Sequence, residues 1–223
     1  MVTSLNHQDQ EQIDQLRQFW ARYGHVISGL VLTIVLGFSA YQVWLWWKRD
    51  QSIQAAHMYT EFTKIQKSAD ISKTELVFHD LRTRYPKTIF SQQAALIFAD
   101  MQHKNGQTQD AEKTLKWLAE SASEVGYQAI ASIRLAAILI ADNRYEEARK
   151  WLDNARGHGF DALLDDRLGD IYALQKNPKQ AAVAYQAAWK ALDPDVNYRN
   201  QIEAKLIALG IDPNASVKSS SGS

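Results

Sequence analysis

The chain has 223 residues, 46% hydrophobic and 22% charged, with 25 basic against 25 acidic side chains. That is room for an anchor plus one soluble domain of ordinary size, and the apolar fraction excludes wholesale disorder. From Asp50 onward 21 basic residues face 22 acidic ones, which excludes a broad basic field for nucleic acid, and the absence of cysteine excludes disulfides, thiol catalysis, thiolate metal sites and a lipidated N-terminal Cys.

Residues 1–11 are polar and read as a mobile leader. From Gln12 the spacing of Ile13, Leu16, Phe19 and Trp20 predicts one apolar side of a short amphipathic helix, or simply the first turns of a longer one. Val26 to Trp47 then runs for 22 residues without Asp, Glu, Lys or Arg. As a helix it extends about 33 Å, enough to cross a hydrocarbon layer of roughly 30 Å. Arg17, Trp20, Arg22 and Tyr23 flank one end, and Tyr41, Trp44, Trp46, Trp47, Lys48 and Arg49 the other, as interface anchors do. The alternatives are a buried soluble helix and a cleaved signal peptide. The acids in the leader, the length of the run and Phe38 ahead of Ser39-Ala40 argue against cleavage, so an uncleaved anchor is expected.

Inside the anchor Gly29, Thr33 and Gly37 recur every four residues, a small-residue face against which a membrane partner helix could pack; a lipid-facing stripe is the alternative. Basic residues are nearly balanced across the two flanks, so charge alone leaves the orientation open.

Beyond Trp47 no Gly or Pro interrupts the chain before Pro86, and Ala55, Met58, Phe62 and Ile65 form a helical stripe, which predicts one helix continuing to about Lys67. A second segment, Ser72 to Arg84, stops at Tyr85-Pro86, because a residue preceding proline is pushed out of helical geometry. Further helices are expected over about Thr88–Lys104, Thr108–Ser121, Glu124–Asp142, Tyr145–Arg156, Asp161–Lys176, Pro178–Leu192 and Asn197–Leu209. Their punctuation is Asn105-Gly106, Asn143 with Glu146 as a capping box, Gly157-His158-Gly159, Asn177-Pro178 and Asp193-Pro194. No stretch alternates as a strand does.

These hairpins repeat. Leu135-Ala136, Leu139, Ala148, Leu152 and Ala155 correspond to Leu168-Gly169, Tyr172, Ala181, Tyr185 and Ala188 at an offset of 33, and a looser copy begins at Phe98-Ala99 at an offset of 37. Phe78, Leu81 and Pro86 close a still more degenerate copy. A period near 34 with small residues at the helix crossing resembles the tetratricopeptide repeat; a generic array of helical hairpins is the alternative. The expected fold is therefore all-α: a single N-terminal transmembrane helix followed by a tetratricopeptide-like α-solenoid. The domains are a tail at 1–25, the anchor at 26–47, the repeats at 48–212 and a disordered polar tail at 213–223.

No catalytic constellation stands out. The six histidines form no pair at ligand spacing, and there is no HExxH, phosphate-loop, GxSxG or dinucleotide pattern, so neither enzyme chemistry nor a cofactor or metal is expected. Trp117, Trp151 and Trp189 fall in second helices and are read as packing between repeats. A partner groove would draw on first-helix positions Gln93, Leu96, Asp100, Ile130, Ile133, Ala137, Leu163, Asp166 and Asp170, apolar contacts rimmed by acids; burial against the preceding helix accounts equally for the isoleucines.

Several phrases in fixed order, Phe19-Trp20-Ala21-Arg22-Tyr23-Gly24 into the anchor, Tyr41 to Trp47 out of it, Tyr85-Pro86, and Leu168-Gly169-Asp170 followed by Asn177-Pro178-Lys179-Gln180-Ala181, resemble the YfgM family of ancillary Sec translocon subunits. The likeness covers about Gln12 to Leu209 and departs in the Trp-rich membrane exit and the polar tail. It implies a bacterial inner-membrane protein with a cytoplasmic N-terminus and a periplasmic repeat domain. The partners it implies are the Sec translocon, a membrane-anchored chaperone of the PpiD type and newly exported polypeptides, with membrane lipid around the anchor. The competing expectation is a membrane-tethered regulator or scaffold on the cytoplasmic face, unrelated to export.

Overall fold

A computed structural model describes residues 7–214, with side chains from Arg17 onward. The expectations for residues 1–6 and 215–223, and for the side chains of Ile13 and Leu16, lie outside the described residues. The chain separates into two compact units, one through Gln51 and one from Ser52.

Among the described residues there are nine helices and no strand. The first, α1 (His7–Lys67), is uninterrupted, in keeping with the absence of Gly and Pro after Trp47. It is the one described helix long and apolar enough to cross a membrane, and no residue of its most apolar window is buried by protein. Thr33 and Ser39 return their hydroxyl protons to the carbonyls of Gly29 and Val35 at 2.9 and 2.8 Å, so these two hydroxyls of the apolar run are satisfied by the helix's own backbone.

In the second unit α2 (Ile71–Arg84), α3 (Ile89–Lys104), α4 (Thr108–Ser121), α5 (Val125–Ala141), α6 (Tyr145–Asn154), α7 (Asp161–Leu174), α8 (Pro178–Ala191) and α9 (Tyr198–Ala208) follow the expected segments to within a few residues. Each helix in turn packs on its neighbour from α2 to α9, and the first helices of successive pairs, α3, α5 and α7, also meet.

The turn inside each pair is built the same way. Gly106, Asn143 and Lys176 have φ of 78, 59 and 57°, and they lie 37 and 33 residues apart, the offsets of the repeat itself. After each of them the next amide donates back over five residues: Gln107 to Gln102, Arg144 to Leu139 and Asn177 to Tyr172, at 2.8, 2.8 and 2.9 Å. This is a Schellman closure, which satisfies the orphan carbonyls of the first helix and reverses the chain. The closure displaces the capping box expected at Asn143. That residue is taken up in the left-handed turn, its side-chain oxygen accepts the Tyr145 hydroxyl at 2.6 Å, and Arg144 takes the cap position without a side-chain bond. Asn177, one residue later in its own turn, does cap α8, accepting from the Gln180 amide ahead of Pro178.

Small residues hold the crossings close. Ala94, Ala95, Ala111, Ala129, Ala131, Ala136, Ala148 and Ala181 have no exposed surface, and the leucines at 81, 118, 135, 139, 152 and 164 fill the space between them. Each such leucine contributes roughly 2 kcal/mol by removal from water. Trp117 follows the packing expectation, edge-on to Phe78 with ring centroids 6.2 Å apart, and the Arg199 guanidinium lies 3.8 Å from the ring centroid of the buried Trp189.

Candidate protein-interaction site

The first helices α3, α5 and α7 carry the positions expected to form a groove. Gln93 and Asp100 are exposed on α3, whereas Leu96 is buried, 9% exposed. On α5, Ala137 is exposed and Ile130 and Ile133 are half-buried in contact with the core. On α7, Leu163 is half-buried.

Four of these residues line two open clefts. One, of about 260 Å³, has Asp100 and His103 of α3 facing Arg134, Ala137 and Ile138 of α5. The other, of about 680 Å³, brings Ile133 of α5 together with Leu163 and Arg167 of α7 and with Leu192, Val196 and Tyr198 at the junction of α8 and α9. Gln93, Leu96, Ile130, Asp166 and Asp170 line neither.

The acids of α7 are turned to internal use. Asp166 has no exposed surface; its carboxylate accepts the Tyr198 hydroxyl at 2.6 Å and the Lys205 ammonium at 2.7 Å. Asp170 accepts the Tyr185 hydroxyl at 2.8 Å, Lys205 at 2.6 Å and Arg167 at 2.9 Å. A buried carboxylate needs such partners, since an unpaired one is strongly penalised, and here α9 supplies them. Asp166 therefore has no surface to offer a rim. Burial, then the hydrogen bond to a carboxylate, raises the phenols of Tyr185 and Tyr198 well above their ordinary value.

Two residues absent from the sequence expectation stand at the clefts instead, Arg134 and Arg167. They are 33 residues apart and each immediately precedes a repeat phrase, Leu135-Ala136 and Leu168-Gly169, so the repeat offset was the signal that could have found them. Arg134 is exposed and donates one N–H to the Leu96 carbonyl at 3.1 Å. Arg167 pairs with Asp170, and its Nε is buried without a partner.

On the second helices the charges form a clamp. Glu112 of α4 accepts both terminal nitrogens of Arg144 at 2.8 and 3.1 Å and pairs with Lys116 at 2.8 Å, and Lys116 also reaches Glu147 of α6 at 3.1 Å. The hydrogen bond from Arg144 is the chief reason that the carboxyls of Glu112 and Glu147 sit below the usual glutamate range. Among the described residues no group of three or more His, Asp or Glu side chains could hold a metal ion.

In the first unit, Gly29, Thr33 and Gly37 are exposed, and beyond the backbone of its own helix a methyl group added at either glycine would meet nothing within 4 Å.

Paired helices closed by repeated Schellman turns, with small residues at each crossing, define a helical repeat protein of the tetratricopeptide class. The chain belongs to the family described as tetratricopeptide repeat-like domain, which it matches over residues 17–211. It is similar to a protein of Neisseria gonorrhoeae named "Ancillary SecYEG translocon subunit", 28% identical over 203 residues, covering 91% of this chain and 97% of that protein. Proteins of the same name from Escherichia coli and Haemophilus influenzae are 22% and 21% identical, covering 82% and 81% of this chain and 86% and 88% of theirs. These relatives bear out the resemblance to the YfgM family.

Proposed function

We propose that the chain is a membrane-anchored repeat scaffold that associates with the Sec translocon and, together with a membrane-anchored periplasmic chaperone of the PpiD type, assists newly exported polypeptides by binding rather than by catalysis. The observation that carries this reading is the end-to-end match to relatives named as translocon subunits, embracing both the exposed apolar helix and the repeats. On this reading the N-terminus is cytoplasmic and the repeat unit periplasmic. Tethering one end at the export channel raises the local concentration of the repeats for emerging chains, which increases occupancy without any new contact.

In vivo photocrosslinking tests it, with probes at Gly29 and Gly37 in the anchor and at Gln93, Ala137 and Leu163 in the repeats. Translocon adducts are expected from the anchor, and chaperone or secreted-chain adducts from the repeats. Absence of every export component would overturn the assignment. A phosphatase fused after Leu209 that stays inactive, while a cytoplasmic reporter at the same point works, would favour a scaffold on the other face.

A further inference from the structure

A cavity of about 160 Å³ lies between α2, α3 and α4 and shares no lining residue with the two clefts described above. Its inner wall is a chain of aromatic contacts. Phe98 of α3 lies 4.9 Å from Phe78 of α2, centroid to centroid, and Phe78 stands edge-on to Trp117 of α4. Arg82 is laid over the Trp117 ring with its guanidinium carbon 4.6 Å from the centroid. A guanidinium set against a ring that is itself packed has few orientations left, so its fork is aimed before any ligand arrives. Two sets of donors open here without an acceptor. Among the described residues Arg82 has neither a hydrogen bond nor an ion pair, and none of its nitrogens is sealed off. Gln102 is 4% exposed, and its side-chain oxygen accepts the Thr114 hydroxyl at 2.8 Å, which leaves its amide nitrogen, on the cavity side, with no acceptor. Burial draws Arg82 below the ordinary arginine value. Part of its water is already gone, and a charged acceptor therefore gains more here than on open surface.

The acids of the lining do not fill this place. Asp110 is held by Lys113 at 2.8 Å, and Glu75, two turns before Arg82 on α2, pairs with no cation. Their charges decide the kind of anion instead, because two nearby carboxylates oppose a second added negative charge more than a first. The next joint shows what such a fork takes: both terminal nitrogens of Arg144 are met across the helices by Glu112, at 2.8 and 3.1 Å. We propose that the cavity binds a single carboxylate, the side chain of a glutamate carried by a partner protein that docks where α2 and α4 meet. Arg82 takes both oxygens through its fork, Gln102 donates its amide N–H to one of them, and the methylene stem lies along the aromatic wall. So small an interior suits one unbranched side chain. A phosphodiester, with two branches on its phosphorus, fits less well. The site adds a second contact surface to the scaffold reading and is tested without any export component, so either can fail alone.

The test uses the full chain in zwitterionic lipid nanodiscs, labelled with 5-fluorotryptophan, with the Trp117 fluorine signal assigned through Trp117→Phe. The probes are N-acetylglutamate α-amide, its glutamine counterpart, free glutamate, and dimethyl phosphate as a monoanion branched like a lipid headgroup, all at constant ionic strength. The capped glutamate is expected to move the Trp117 signal saturably in the millimolar range, the glutamine probe to leave it in place, and dimethyl phosphate to bind several-fold more weakly. Free glutamate should bind no better than the capped form. Arg82→Gln should weaken the capped glutamate about tenfold, and Arg82→Lys by less, since the charge stays while the fork is lost. Glu75→Gln should tighten it by removing a like charge, and thermal melting reports that each variant is folded. A shift that does not saturate, an equal response to the glutamate and glutamine probes, or a titration unchanged by Arg82→Gln overturns the proposal. Tighter binding of free glutamate would reassign the cavity to a soluble small acid, and tighter binding of dimethyl phosphate to a lipid headgroup; either result overturns it as well.

Discussion

The two best-matched hairpins, α5–α6 and α7–α8, share a backbone plan and solve the same packing problem with opposite chemistry. At the crossing the first has Ala136 and Leu152, both without exposed surface, and the second has Gly169 and Tyr185 at the equivalent positions. A methyl group on Gly169 would stand 2.3 Å from the Tyr185 ring. The larger ring is admitted only because the facing residue has lost its side chain. Its hydroxyl then arrives beside Asp170, where the first hairpin has Ala137, and Asp166 replaces Ile133. The earlier hairpin keeps its ions at the outer clamp of Glu112, Arg144, Glu147 and Lys116, while the last one buries an acid and depends on Tyr198 and Lys205 of α9 to neutralise it. Volume is thus balanced across the crossing, a larger ring against a lost side chain, while polarity is free to change: an internal joint can be apolar, and a terminal one can become a polar seam that fastens the closing helix.

The sharpest way to break the comparison is Gly169→Ala. Even one methylene-sized group inserted into a packed core costs about 1–3 kcal/mol, and an overlap of this depth against a buried ring belongs at about 3 kcal/mol. Urea unfolding should register that loss. Gly169→Ala combined with Tyr185→Leu recreates the α5–α6 pair and should return most of it, a coupling that independent sites do not show.

Next in size is Lys205→Met. It preserves the stem but leaves Asp166 with the Tyr198 hydroxyl as its one described partner. About 2 kcal/mol is expected to be lost, because breaking a buried pair strands a charge. Converting the seam wholesale, Asp166→Ile with Tyr198→Phe and Lys205→Met, should come within about 1 kcal/mol of the parent, since a buried ion pair is often no better than well-packed apolar groups. If the triple variant is as unstable as Lys205→Met, the seam is held by something other than charge compensation.

What the sequence disclosed, and what it withheld, divides along the same line. Helix limits came through because Pro86, Gly106, Gly157 and Pro178 act locally on φ and on amide donors, and the offsets of 37 and 33 came through because small residues must recur at each crossing. Asn143 misled because Asn suits both a helix N-cap and a left-handed turn, and two helices joined this tightly leave room for the turn first. Asp166 and Asp170 looked like a solvated rim because α7 alone gives no hint that α9, more than thirty residues on, brings Tyr198 and Lys205 to meet them. Arg134 and Arg167 share the repeat offset but carry no apolar signature, so hydrophobic periodicity does not mark them.

The turns offer a smaller test with both signs. Lys176 and Gly106 hold the same left-handed place, which a side chain bearing Cβ occupies at a cost of roughly 1–2 kcal/mol. Lys176→Gly should therefore stabilise by up to about 1 kcal/mol after the added freedom of the unfolded chain is set against it, while Gly106→Ala should destabilise by about 1 kcal/mol. Thermal melts of the two variants moving in the same direction would mean that the three turns are not equivalent.

The smallest difference, and one that pH resolves, lies in the outer clamp, which the α7–α8 joint lacks. The Glu112 carboxyl is held below its ordinary value chiefly by the hydrogen bond from Arg144, with Lys116 adding to it. A carboxylate whose folded pKa is lowered stabilises the fold fully above its unfolded value, near about 4.3, and that stabilisation drains away as pH falls through the lower folded value. Glu112→Gln should accordingly be less stable than the parent at pH 7, by less than any of the preceding changes, and the gap should close only in acid below the ordinary glutamate range. Raising salt at pH 7 should shrink it as well, because Arg144 is 39% exposed and the pair is partly screened. A gap that instead widened on acidification would assign the effect of Glu112 to packing of its stem rather than to its charge, and the contrast between an outer ionic clamp and a buried ionic seam would lose one of its two sides.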